Sequence, residues 1–311
     1  MATESQLTRL VDAYDPEATL KEALYLTAAM DPGFQQNRFT KVFAETKQLF
    51  DGLYPGYQAC NTEYHDFSHT CEVVLAMARL IHGAFLTGVA FTGREINIGM
   101  IAALMHDTGY IQEVTDHKGT GAKHTLTHIE RSIAFLRRYL GDGPEYGAAD
   151  MKDLAAVLHC TGLTARVAEM NFSSENMATI GKMLGTADLI GQMADRLYLE
   201  KLLFLYWEFE EGGISQFSSE WDLLKKTIGF YAWTKQRFAG EFSGVDGYMI
   251  HHFRNRWGID DDLYQESMQR NIDYIGDTLI HHPEDFTQYL RRANMITKLA
   301  LKNREAPRTQ R

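Results

Sequence analysis

The sequence predicts an all-α protein, and three observations carry that expectation. Apolar residues recur at spacings of three and four along most of the chain, no two segments alternate apolar and polar residues as paired strands do, and only 6 prolines interrupt 311 residues. Hydrophobic residues make up 45% and charged residues 23%, the balance of a globular chain able to bury a full core. There is no Ser/Gly-rich linker and no internal repeat, so one domain spanning 1–311 with a helical extension is expected, not two modules.

The elements follow from the spacing. In Ser68 to His82, Val73, Met77, Leu80 and Ile81 form one stripe, with Asp66 or Ser68 placed to cap the helix and His69 on the same stripe. Ile96 to Met105 is apolar nearly all round, which marks a central helix covered on every side, and His106 and Asp107 end it. Leu126 to Leu140, Met151 to His159 and Ser174 to Leu197 each carry a stripe, and Asp188 falls on the last of these. Beyond them, Leu199 to Phe209, Glu220 to Phe242, Asp246 to Trp257, a helix ending near Ile280, and Glu284 to Leu301 continue the pattern. The charged, Pro-containing run Lys302 to Arg311 reads as a disordered tail.

Composition excludes several functions. Lys+Arg 31 against Asp+Glu 41 gives a net charge of −10, which disfavours a generic polyanion surface, so nucleic acid is not an expected partner. Cys60, Cys71 and Cys160 lack CxxC spacing, which argues against a disulfide framework and a thiolate zinc site and fits a reducing cytoplasm. The first fifteen residues show neither a basic nor an apolar leader pattern, and no apolar run reaches the roughly 18 residues of a membrane span. A cytoplasmic protein without membrane association is the expectation.

Eight of the 12 histidines lie between residues 65 and 159. Any one of them alone reads as a core polar residue with a private hydrogen bond. His69, Asp107 and Asp188, however, all sit on or beside apolar stripes, where an unpaired imidazole or carboxylate costs several kcal/mol of desolvation, by order of magnitude. Several such groups on converging helices call for a shared partner, and imidazole nitrogen with carboxylate oxygen suits Mn, Fe, Zn, Ni or Mg.

The runs Glu63-Tyr64-His65-Asp66-Phe67-Ser68-His69, Leu104-Met105-His106-Asp107 and Ala187-Asp188 resemble the H…HD…D signature of the HD superfamily of metal-dependent phosphohydrolases. The resemblance covers roughly residues 45–210. It implies an HD-domain helical bundle over that core; the residue pattern adds a C-terminal helical extension over 211–301 and a tail over 302–311. It also implies a metal on His69, His106, Asp107 and Asp188. His128 and His159 fall where dinuclear members, including the HD-GYP phosphodiesterases, place further ligands, so two divalent ions bridged by Asp107 are implied. Cys160 stands where HD-GYP members have a second His and no Gly-Tyr-Pro follows, which turns the expectation away from cyclic di-GMP.

Tyr64-His65-x-x-x-His69 is also similar to the YHxxxH of class I cyclic nucleotide phosphodiesterases, in which the first His is the general acid. That family reads purines with Gln-x-Gly-Phe; here Thr227-Ile228-Gly229-Phe230 keeps the Phe but lacks the amide. Phe230 is therefore a candidate base clamp. Gln112 to Lys123, with Gly119 and Gly121, reads as a mobile loop whose Lys118 and Lys123 are candidates to meet a phosphate, with His124 beside them. The resemblance thus implies hydrolysis of a small nucleotide or related phosphate ester, with His65 and Asp107 catalytic. Two other readings share the ligand set: an HD-type diiron oxygenase, and a non-catalytic HD module that binds a nucleotide.

Overall fold

In a computed structural model the protein is all-α, and the structure describes residues 6–141 and 146–290. Twelve α-helices run through these residues with no strand among them: α1 (Gln6–Leu10), α2 (Pro16–Met30), α3 (Gln36–Phe50), α4 (Phe67–Leu86), α5 (Gly93–Met105), α6 (His128–Leu140), α7 (Ala148–His159), α8 (Glu175–Ala194), α9 (Tyr198–Glu211), α10 (Glu220–Ala239), α11 (Tyr248–Trp257) and α12 (Leu263–Asp277). The one β-type contact is an isolated antiparallel bridge between Tyr57 and Glu113. No helix among the described residues is long and apolar enough to cross a membrane.

The centre of the bundle is α4. Every residue from His69 to Ala84 is buried, because α2, α5, α8 and α11 cover it on all sides. Aliphatic side chains such as Val73, Leu75, Leu80 and Ile81, each buried to 2% exposure or less, contribute about 1.5–3 kcal/mol apiece by the area they remove from water. The α4–α11 crossing is close: a Cβ at Gly83 would stand 1.9 Å from the Tyr248 carbonyl oxygen, so only glycine fits there. Side-chain caps fix where helices start. Asp66 accepts from the His69 N–H, Thr92 and Glu95 form a capping box on α5, and Ser174, Ser219 and Asp262 cap α8, α10 and α12.

The observed elements differ from the expected ones in several places, among them α10, which stops at Ala239 and not at Phe242. α2 and α3 lie in a stretch to which the spacing argument assigned nothing, although Asp15 accepting from the Glu17 and Ala18 N–H groups, with Pro16 behind it, is a legible helix start. The expected Ser174 to Leu197 helix stops at Ala194, where Asp195 leaves helical geometry and accepts from Leu197 N. The start expected at Asp246 is a 3-10 turn, Val245–Gly247, leading into α11. Of the helix expected over Glu284 to Leu301, the described part contains only a 3-10 turn, Phe286–Tyr289; its remainder and the tail lie outside the described residues.

The buried stretch of α4 carries polar residues, and two of them find partners on neighbouring helices. Arg79 donates to the Tyr264 hydroxyl, and His82 meets His252 of α11 with Nδ1 atoms 3.2 Å apart. One such contact needs one ring to donate and the other to accept, so at most one of the two rings can carry a proton on both nitrogens. Burial lowers His252 to about 2, with Arg79 and His82 adding to the effect, and burial lowers His82 as well, with Glu22 and Arg256 facing it. Both regain the ordinary value near 6.5 when the chain unfolds. Below that pH the unfolded chain binds more protons, so the pair's contribution is fully present above about 6.5 and is lost as pH falls. Denaturant unfolding at pH 7 and pH 5 should show stability falling in the wild type and falling less steeply in His252→Leu; equal slopes would show that the pair carries no such cost.

Candidate functional site

Four donor side chains meet where α4, α5 and α8 converge. His69 stands in the first turn of α4, His106 is the C-cap of α5 with Asp107 next to it, and Asp188 projects from α8. His69 Nε2 lies 3.1 Å from Asp188 Oδ1, 3.3 Å from His106 Nε2 and 3.6 Å from Asp107 Oδ2. His106 Nε2 lies 3.2 Å from Asp107 Oδ2 and 3.8 Å from Asp188 Oδ1. His69, His106 and Asp107 are all buried, and one donor atom from each falls within 4.8 Å of the others, a group that could hold a metal ion.

The rings are aimed by what their other nitrogens do. His106 Nδ1 donates to the Ala103 carbonyl at 2.8 Å, and His128 Nδ1 donates to the Thr125 carbonyl at 2.7 Å, so each turns its Nε2 toward the cluster. His128 begins α6 and brings Nε2 to 3.8 Å from Asp107 Oδ1, the carboxylate oxygen that does not face His69 and His106. Asp107 thus presents one oxygen to each side. His69 Nδ1 has Glu72 Oε2 at 3.8 Å behind it, and Glu72 belongs to a buried ionic group with Lys201 and Asp195, whose Nζ and Oδ2 are 3.0 Å apart.

Protons alone leave this cluster incompletely paired. Desolvation opposes charge on His69, but hydrogen bonds to Asp188 and Glu72 outweigh it and raise the ring to about 10, so a shared proton can serve Asp188. Burial likewise opposes ionisation of Asp107, yet the neighbouring His106 holds its carboxyl well below the usual range. Even so, Asp107 Oδ2 is buried with no hydrogen-bond partner. A buried charged oxygen without a donor costs several kcal/mol by order of magnitude. A divalent cation among these nitrogen and oxygen donors removes that cost, so the residues fit such a group.

His65 and Glu208 flank the cluster. His65 Nδ1 donates to Glu208 Oε2 at 2.7 Å, while Glu208 Oε1 accepts from the N–H groups of Glu63 and Tyr64 at 2.8 Å each, which locks the carboxylate in place. The His65 ring stacks on Tyr110, centroids 4.2 Å apart, and its Nε2 lies 3.4 Å from the Tyr110 hydroxyl. Tyr64 donates to Gln192 Oε1 at 2.5 Å, and Gln192 in turn donates to the Asp188 carbonyl at 3.1 Å.

The remaining expected residues lie in other contacts. His159 ends α7 with its side chain 41% exposed, and the partner of its Nε2 is Glu130 Oε1 at 3.5 Å; no contact with Asp107 or His128 accompanies it. Cys160 is buried with Sγ against the Ala156 carbonyl and Met170. The Gln112 to Lys123 loop is pinned rather than loose. Lys123 pairs with Asp116 at 2.5 Å and also donates to the Lys118 carbonyl, and Thr120 is held by Glu211. His124 Nε2 faces the same Asp116 at 3.4 Å, and the Lys118 side chain is exposed. Lys123 and His124 are therefore turned onto the loop's own carboxylate. Phe230 stacks on Trp233 of its own helix, and the buried Thr227 hydroxyl donates to the Leu223 carbonyl.

Sequence reasoning did not find Glu208, Glu72, Lys201 or Tyr110. Glu208 sits among four glutamates of α9, and nothing in their spacing separates it from the others. Tyr110 had a signal, since it lies three residues after Asp107 in a stretch too short and too apolar for a free loop.

Comparison with curated proteins finds no match. Residues 54–240, more than half of the chain, match a family described as Npun_R2479-like, and that span holds every one of the clustered side chains described above. The chain belongs to the Npun_R2479-like family.

Proposed function

We propose that the protein is a metal-dependent phosphohydrolase of the HD type, acting on a small nucleotide or related phosphate ester. The observation that carries this reading is Asp107, whose buried Oδ2 receives no well-formed hydrogen bond, although His106 Nε2 lies 3.2 Å away, while its Oδ1 faces His128. His69, His106, Asp107 and Asp188 would hold one divalent cation, and Asp107 with His128 would contribute to a second. When bound, such cations supply an activated water near neutral pH and neutralise charge on phosphoryl oxygens.

The chain's own residues do the rest. Asp107, through its two oxygens, sets the spacing of the two positions. Glu208 keeps the His65 Nδ1 proton in place and so leaves Nε2 as the proton-transferring atom. In that role His65 Nε2 protonates the departing oxygen of the ester. The loop cations do not replace a metal in binding phosphate, because Lys123 and His124 already face Asp116. An anionic substrate therefore depends on cations at the cluster itself.

Chelator-treated protein should take up two Mn, Fe, Ni or Zn ions per chain. Asp107→Ala should lose both and His128→Ala mainly the second, as read by elemental analysis. Protein that takes up none of these ions would end the proposal. Iron-dependent oxygen uptake without ester hydrolysis would replace it with the diiron oxygenase.

General-acid assistance is typically worth about 10² to 10⁴ in rate, and most where the leaving group is a poor one. His65→Ala should keep its metals, lose most activity on an alkoxide-leaving ester such as a ribose phosphodiester, and retain far more on a nitrophenyl ester. Equal losses on both, with metal content unchanged, would reject the acid role.

A further inference from the structure

Tyr110 has no part in the reading above, yet its position is among the most tightly determined in the protein. It closes the 3-10 turn Thr108–Tyr110 that follows Asp107. That turn is fastened to the start of α6. Gly109 N donates to Ser132 Oγ at 2.8 Å, Ser132 Oγ donates to the His106 carbonyl at 2.6 Å, and Arg131 donates to the Gly109 and Ile111 carbonyls at 2.7 and 3.0 Å. A Cβ at Gly109 would stand 1.9 Å from the His128 carbonyl oxygen, so the turn cannot be pressed closer.

Held there, the phenol ring touches both flanks of the site. The His65 ring stacks on it at 4.2 Å with 13° between planes, and the His128 ring at 4.7 Å with 21°. The two imidazole centroids are 6.5 Å apart, which makes a nearly right angle at the phenol, so Tyr110 is a shared wall and not a spacer between them. Its hydroxyl is buried, and burial together with the Asp107 and Glu208 charges pushes the phenol well above its ordinary value, so it stays protonated.

The hydrogen-bond inventory around that hydroxyl is directional. Glu208 takes the His65 Nδ1 proton, so Nε2 is the only nitrogen of the ring left to exchange a proton with substrate. Thr125, whose hydroxyl donates to the Ala122 carbonyl at 2.6 Å, stands beside the phenol. The phenol hydroxyl lies 3.4 Å from His65 Nε2.

We infer that Tyr110 is a positioning residue for proton delivery: its hydroxyl, beside Nε2, and its ring, stacked on the imidazole, fix the His65 ring against the reacting ester and keep His65 and His128 in fixed relation. In the transfer, the His65 Nε2–H bond breaks and the proton goes to the leaving oxygen. The ring's electron pair stays on Nε2, and the phenol neither gains nor loses a proton. This inference rests on the phosphohydrolase reading.

Two variants separate the roles of hydroxyl and ring. Tyr110→Phe keeps the stack and removes the hydroxyl. It should lower kcat, with little change in KM, on an alkoxide-leaving phosphodiester by roughly tenfold or more, a part of the full general-acid contribution, and far less on a nitrophenyl ester. Tyr110→Leu removes the wall as well and should also weaken the second Mn site in a metal titration of the chelator-treated protein, a readout independent of turnover. Equal losses on the two esters in Tyr110→Phe, in a protein whose wild type hydrolyses both, overturn the role of Tyr110 and leave the phosphohydrolase reading standing. A wild type that takes up Mn but hydrolyses neither ester overturns both.

Discussion

The structure turns on one constraint: Asp107 is an ionised carboxylate buried at the meeting of three helices, and one of its oxygens has no donor. Around it the chain has spent its hydrogen-bonding capacity on orientation. His106 and His128 give their Nδ1 protons to the carbonyls of Ala103 and Thr125, three residues earlier in each case, and so commit Nε2 inward. His69 and His106 are as buried as Asp107 itself. The fold serves this arrangement. The Asp66 cap sets the start of α4, and thereby the height of His69, while α8 carries Asp188 across to meet it.

A second layer stands behind the first. Glu72, pushed up to about 8 by burial and by Asp195, sits behind the His69 ring, and the buried Lys201 pairs with Asp195 at 3.0 Å. Tyr14, from the segment before α2, donates to the same Asp195 at 2.8 Å. The N-terminal helices are thus tied to the rear of the cluster, and His65, Glu208 and Tyr110 occupy its front. With a net charge of −10, the surface as a whole repels anions, and the proposed function places the compensating positive charge at the cluster.

Much of this was legible in the sequence because helix-borne donors on apolar stripes conflict with their surroundings. His69 and Asp188 stood out for that reason, and their convergence with His106 and Asp107 is what the resemblance implied. The all-α fold followed from periodicity alone. α2 and α3 fell outside the expected helices, although Asp15-Pro16 is a legible helix start. What sequence could not supply was any residue whose role depends on a partner far along the chain. Glu208 reaches back 143 positions to His65, and Lys201 reaches back 133 to Ser68; no local pattern encodes either contact. Lys123 shows the converse error. In sequence a loop lysine near a motif suggests phosphate, but Asp116, seven residues earlier, had already claimed it.

The account's central claim is that a divalent cation belongs among these four side chains. Anomalous diffraction from crystals grown with Mn tests it most directly. The account predicts a peak bounded by His69 Nε2, His106 Nε2, an Asp107 oxygen and an Asp188 oxygen, each at roughly 2.0–2.3 Å. A map with no anomalous density there, at saturating Mn and neutral pH, would contradict it and leave the cluster as a buried network held together by protons.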